Sequence, residues 1–209
     1  SISLMFFLAG CSLTQPGVFT KPKTAEEQKI DTVKKIEKTV YKRPAVSVLL
    51  KNRIRDILKA MAANDLTKIN QEYIHPEFGF FNLFKIEGSK VFLEQKMIYN
   101  IIDDETEELS HIVSRVNPKS SKLKIIEKNV KFDCSPNDDS FYGWNDDGLF
   151  LSNNIDISLS KMIKELNNYD VKDYEKAVKI EKTSYKVVLT PELSFYLTML
   201  DNNWYITLV

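Results

Sequence analysis

Two periodicities divide the chain. In the first third, apolar residues recur every three or four positions, the spacing of one helical face. Ile30, Val33, Ile36 and Val40 form a narrow stripe behind the capping box Thr24-x-x-Glu27, in which hydroxyl and carboxylate each satisfy an orphan backbone N–H. That stripe can dock on the body, pair with another helix or stay a half-exposed linker; Pro44 ends it. Ser47 fits an N-cap for a second helix, with Leu50, Ile54, Ile57, Leu58 and Met61 on one side. Asn64-Asp65 breaks it and caps a short third helix, buried through Leu66, Ile69 and Tyr73 and closed by His75-Pro76.

Strand patterns follow. Phe78 to Ile86 is bulky and β-prone and stops at Glu87-Gly88-Ser89. Residues 89–99 fit either type, with Phe92, Leu93, Lys96 and Met97 favouring a helix. Asp103 to Glu108 is an acidic loop, and His111 to Val116 a strand. Leu123 to Phe132 reads as one long strand whose alternation slips at Ile125-Ile126, as a bulge would require. Apolar runs 141–144 and 149–151 flank Asn145-Asp146-Asp147-Gly148, a hairpin signal. Leu159, Met162, Ile163 and Leu166 mark a helix behind Ser158. Tyr185–Leu189, a turn at Thr190-Pro191-Glu192, then Leu193–Leu200 and Trp204–Val209 around Asp201-Asn202-Asn203 complete the pattern. The expected fold is α+β, with N-terminal helices packed on a strongly curved antiparallel sheet.

The beginning of the chain has a different character. An apolar run from Ile2 leads to Leu8-Ala9-Gly10-Cys11, about half the length of a permanent membrane helix. This resembles the lipobox of bacterial lipoproteins: Leu, a small residue, Gly or Ala, then Cys. The resemblance implies that residues 1–10 are the remnant of a signal peptide. It also implies that Cys11 is diacylated on sulfur and becomes the mature N-terminus. Two or three acyl chains, at roughly 0.8 kcal/mol per buried methylene, anchor a protein essentially permanently. Ser12 rather than Asp after the cysteine points to the outer membrane, facing the periplasm.

Charge is zero overall but uneven. Residues 12–43 carry eight Lys/Arg against four Asp/Glu, and residues 44–209 carry 21 against 25. A weakly acidic domain (44–209) on a basic, partly helical stalk (11–43) is a poor nucleic-acid binder, although the stalk suits anionic headgroups. With Cys11 acylated, Cys134 is the one remaining thiol, so a disulfide framework is excluded. Asp133, Asp138 and Asp139 around Cys134 would raise its pKa and suit a buried, unreactive thiol.

The element order resembles the nuclear transport factor two-like superfamily, the cone-shaped α+β fold shared with ketosteroid isomerase-like proteins. The matching residues are Ala62-Ala63-Asn64-Asp65-Leu66 between helices and Tyr73-Ile74-His75-Pro76 after them. Phe195-Tyr196-Leu197-Thr198 paired with Trp204-Tyr205-Ile206-Thr207 completes the match. The helix near residues 158–168 departs from the simplest version of that fold. The resemblance implies a pocket at the open end of the cone, in a fold that hosts both enzymes and pure binding modules.

No catalytic set stands out. His75, before Pro76 at a helix end, reads as a capping or packing histidine. His111 begins a strand and either faces a pocket or lies exposed. Neither belongs to a metal-ligand motif, so no metal or cofactor is expected. Asn137, Asp138, Asp139, Asn145, Asp146 and Asp147 offer oxygens, but the EF-hand register fails and the residues suit ordinary turns. Tyr142 and Trp144 could form a stacking platform for a ligand or pack as core aromatics. The reading these features favour is a lipid-anchored periplasmic binding or scaffolding protein, non-catalytic, taking an apolar ligand or partner protein at the open end of its sheet. The alternatives are a small-molecule isomerase, dehydratase or hydrolase with an acid or base in the pocket, and a structural envelope protein acting through its stalk.

Overall fold

A computed structural model describes residues 21–99, 116–133, 143–191 and 193–209. Cys11, His111, Cys134 and Tyr142, the lipobox and residues 111–115 of the strand expected at 111–116 lie outside the described residues.

The first helices form where the sequence caps them. Helix α1, Ala25–Lys38, starts at Thr24 with both halves of the capping box made. Helix α2, Val48–Ala62, starts at Ser47, whose hydroxyl accepts the N–H of Leu50 at 3.1 Å. Helix α3, Leu66–Lys68, is capped by Asp65 and widens into a π-helical turn at Ile69–Tyr73.

Strands β1, Phe80–Ile86, and β2, Ser89–Gln95, make a hairpin. The helix favoured for residues 89–99 is therefore a strand. Glu87 and Gly88 both take positive φ, 49° and 82°, which closes a two-residue turn and lets β1 template its neighbour. A 3₁₀ turn at Pro118–Lys122 precedes β3, Ile125–Glu127. The long strand expected over 123–132 is broken. β3 joins the main sheet, whereas β4, Phe132–Asp133, pairs with β5, Gly143–Trp144, in a separate two-stranded ribbon. Of the hairpin expected between residues 141–144 and 149–151, the described residues 143–144 pair with β4 and not with β6. Strand β6, Leu149–Ser152, is buried along its length and claimed on both sides by main-sheet strands.

Helix α4, Leu159–Lys164, follows the Ser158 signal. No element is expected between Leu166 and Tyr185, yet helix α5, Val171–Thr183, fills that stretch, capped by Asp170. Strands β7, Tyr185–Leu189, β8, Leu193–Leu200, and β9, Asn203–Leu208, fall where the alternation places them.

The chain is α+β. Among the described residues its main sheet has seven strands in the order β2-β1-β9-β8-β7-β6-β3. It is mixed rather than antiparallel, because β1 pairs with β9, and β3 with β6, in parallel. Parallel neighbours need long connections, and both pairs have them.

Alternation along the strands divides the core between two faces. Phe80, Val187, Phe195, Leu197, Trp204 and Ile206 meet α2 and α3 on one face. Phe81, Tyr196 and Leu208 meet α1, α4 and α5 on the other. The switch of parity between Trp204 and Leu208 accompanies an irregularity in the β8–β9 register at Tyr196/Leu197. Helix α1 docks: Val33 and Ile36 are buried in the second cluster, and Lys29 donates to Tyr169 O at 2.9 Å. Between helix layer and sheet on that side, Ser184, Thr198 and Thr207 are fully buried, with Oγ–Oγ1 and Oγ1–Oγ1 distances of 2.7 and 2.6 Å.

Candidate functional site

An open cleft of about 680 Å³ lies where four segments converge. His75, Glu77 and Phe78 come from the turn after α3. Lys172, Glu175, Lys176 and Lys179 come from one face of α5. Lys96 follows β2, and Leu200 and Asp201 lie at the β8–β9 turn. Gly79 makes the convergence possible. Its φ is +67°, and a Cβ there would fall 2.3 Å from the carbonyl oxygen of Gln95. The turn can thus lie flush against the end of β2.

His75 organises this turn. Its Nδ1 accepts the backbone N–H groups of Glu77 at 3.2 Å and Phe78 at 3.1 Å. The proton is therefore on Nε2, which donates to Asp201 Oδ2 at 2.7 Å. The ring also meets Tyr205 edge-on at 5.1 Å. Both ring nitrogens are committed, and no lone pair is left for a general base. His75 is a capping histidine that ties α3 to the last hairpin.

Beside the cleft, α5 is joined to β2 by a carboxyl pair and a lysine. Lys176 Nζ donates to Glu94, and Lys96 reaches Glu94 at 3.5 Å and the carbonyl of Glu77. Burial, the largest single effect, would raise the Glu94 carboxyl, but the hydrogen bonds from Lys176 and Asp173 and the positive charges of Lys176 and Lys96 together outweigh it and hold the group below its ordinary value. Asp173 moves the opposite way. Burial first, then the hydrogen bond and negative charge of Glu94, push its carboxyl up to about 6. No local pattern announces this trio: Glu94 and Lys176 are 82 positions apart. The signal within reach was α5 itself, with Tyr174, Ala177 and Val178 buried behind the Asp170 cap.

Trp144 lies elsewhere. It packs half-buried against Val130, Phe150 and Val188, with Phe132 edge-on at 5.4 Å, and it does not line the cleft. Asp146, one of the turn acids, pairs with Lys128 at 2.8 Å. Among the described residues, no group of three or more His, Cys, Asp or Glu side chains could hold a metal ion.

A second surface is apolar. On β1 and β2, Phe84, Ile86, Val91 and Leu93 lie on the face that α2 and α3 cover at Phe80. Beyond that cover they emerge: Phe84 is 39 %, Ile86 55 % and Leu93 51 % exposed. Opposite them, Leu83 and Phe92 pack into the second core.

Comparison with protein family models, with characterised proteins and with solved structures finds no match for this chain. Among the described residues no helix is long and apolar enough to cross a membrane.

Proposed function

We propose that this chain is a lipid-anchored bacterial envelope protein, attached through Cys11 to the outer membrane and facing the periplasm, whose domain binds rather than catalyses. The anchor rests on Leu8-Ala9-Gly10-Cys11. The observation that carries the binding role is the apolar platform Phe84, Ile86, Val91 and Leu93, at the end of the sheet beyond its helical cover. Clustered exposed side chains of this kind mark interaction surfaces more often than scattered ones do. We read the platform as the open end of a cone-like sheet of the nuclear transport factor two-like kind. The element order supports that reading: helices first, a hairpin next, and a last hairpin whose final strand returns beside β1. The platform suits an apolar ligand or the apolar side of a periplasmic partner protein.

The test combines both halves. Cys11→Ser should move the protein from membranes to the soluble fraction and abolish incorporation of labelled palmitate. In that background, an apolar reporter dye should bind, and Ile86→Lys with Leu93→Lys should weaken its binding several-fold without changing the circular dichroism spectrum. Binding indifferent to both lysines would overturn the platform, and palmitate incorporation by the Cys11→Ser chain would overturn the anchor.

Catalysis has one observation in its favour: Asp173, beside the cleft, titrates near the range in which a carboxyl can act as acid or base. Its partners are Glu94 and Lys176, which also join α5 to β2, and the same contacts serve a structural role equally well.

A further inference from the structure

We propose that β2 pairs edge to edge with β2 of a second copy of this chain, antiparallel and centred on Phe92. The inference does not depend on the lipid anchor, and it shares only Val91 and Leu93 with the apolar platform. β2 ends the seven-strand order, and no described strand lies beyond it. The opposite edge, β3, is three residues long, whereas β2 has seven. A long edge with no described neighbour invites pairing, and folded proteins usually shorten, cover or interrupt one.

The backbone selects which residues can pair. In a hairpin closed by a two-residue turn, the residues flanking the turn form a hydrogen-bonded pair, and such pairs then alternate. With Ile86 opposite Ser89, the next two are Phe84 opposite Val91 and Asn82 opposite Leu93. Lys90, Phe92 and Glu94 therefore turn their N–H and C=O groups to the open edge.

The side chains select the register. Written along the strand, β2 reads Ser-Lys-Val-Phe-Leu-Glu-Gln, with charge of opposite sign two positions on either side of Phe92. Centring a two-fold axis on Phe92 sets Lys90 opposite the partner's Glu94, and Glu94 opposite the partner's Lys90. Both side chains lie on the same face of the sheet, alongside Leu83 and Lys85. On the other face Val91 meets the partner's Leu93, twice, in the pair type that brings side chains closest. Ser89 meets the partner's Gln95. A register centred on Val91 would set Lys90 against Phe92, and one centred on Leu93 would set Glu94 against it. Only the Phe92 centre places every like with its complement. A lone lysine at an edge normally repels a neighbouring strand; here the symmetry sets it opposite Glu94, adding a third lysine to the carboxylate that Lys176 and Lys96 already hold.

The experiment uses the full chain carrying Cys11→Ser and Cys134→Ser, so that neither acylation nor a native thiol interferes. Sedimentation velocity over a range of protein concentrations should show a reversible monomer–dimer equilibrium. Lys90→Glu, a change at an exposed position, should weaken the dimer constant roughly tenfold or more by facing two carboxylates across the edge. Val91→Cys with Leu93→Cys should give a covalent dimer under mild oxidation, and neither single cysteine variant should approach its yield. A chain that stays monomeric at every concentration would overturn the proposal. So would a dimer that tolerates Lys90→Glu and is not trapped by the cysteine pair, which would place the contact elsewhere.

Discussion

His75 Nε2 donates to Asp201 Oδ2 at 2.7 Å, joining the end of α3 to a turn 126 residues further along the chain. The two partners are unequally placed: the histidine side chain is 13 % exposed and the aspartate 81 %. The stabilisation should therefore come from the capped backbone and not from the hydrogen bond to the exposed Asp201. His75→Ala strands the N–H groups of Glu77 and Phe78 and should cost about 1–3 kcal/mol in urea unfolding. Asp201→Asn should stay within about 0.5 kcal/mol of the unmodified protein. Equal losses for the two would assign His75 an electrostatic role instead.

Asp173 gives the fold a pH dependence of unusual sign for a carboxyl group. Its neutral form is favoured in the folded chain, so the stability it contributes is complete below the ordinary value of 3.8 and is lost as pH rises through about 6. Glu94 opposes it at lower pH, since a depressed carboxyl loses its contribution as pH falls through its lowered value. Asp173→Asn should thus stabilise the chain at about pH 7 to 8, by on the order of 1 kcal/mol once solvent screening is allowed for, and the gain should vanish near pH 4. Denaturant midpoints measured across that range decide the matter; a variant destabilised at neutral pH would remove Asp173 from this account.

The row Ser184, Thr198 and Thr207 is coupled through its middle member. Thr198→Val keeps the shape but leaves two fully buried hydroxyls short of a partner, at a cost of about 1–3 kcal/mol. Adding Thr207→Val removes one stranded group, so the double variant should lose less than the sum of the single ones. Strict additivity in thermal unfolding would show that the three hydroxyls act separately.

How much of this could be read from sequence depends on the range of the interaction. The β8–β9 hairpin was legible because Phe195, Leu197, Trp204 and Ile206 alternate without interruption. The caps at Thr24, Ser47 and Asp65 were legible because each acts within a turn of itself. β2 was misjudged because its strand state comes from its partner: Phe92 and Leu93 are neighbours that face opposite sides of the sheet, while side-chain spacing alone also suits a helix. α5 went unseen because four lysines dilute its apolar face, and only packing on the sheet and α1 supplies the rest. Neither the His75–Asp201 link nor the Glu94–Lys176 link leaves a local pattern, since each is created by the assembled topology.

The docking of α1 sets the length of the leash. An undocked stalk would let the domain sweep a wide volume above its anchor. With Val33 and Ile36 seated on α5, 12 residues separate Cys11 from the α1 cap at Thr24. That span reaches about 45 Å at full extension. On the proposed anchor, the domain patrols a thin shell above one membrane, its search is nearly two-dimensional, and two copies on the same surface meet at a far higher local concentration than free protein would.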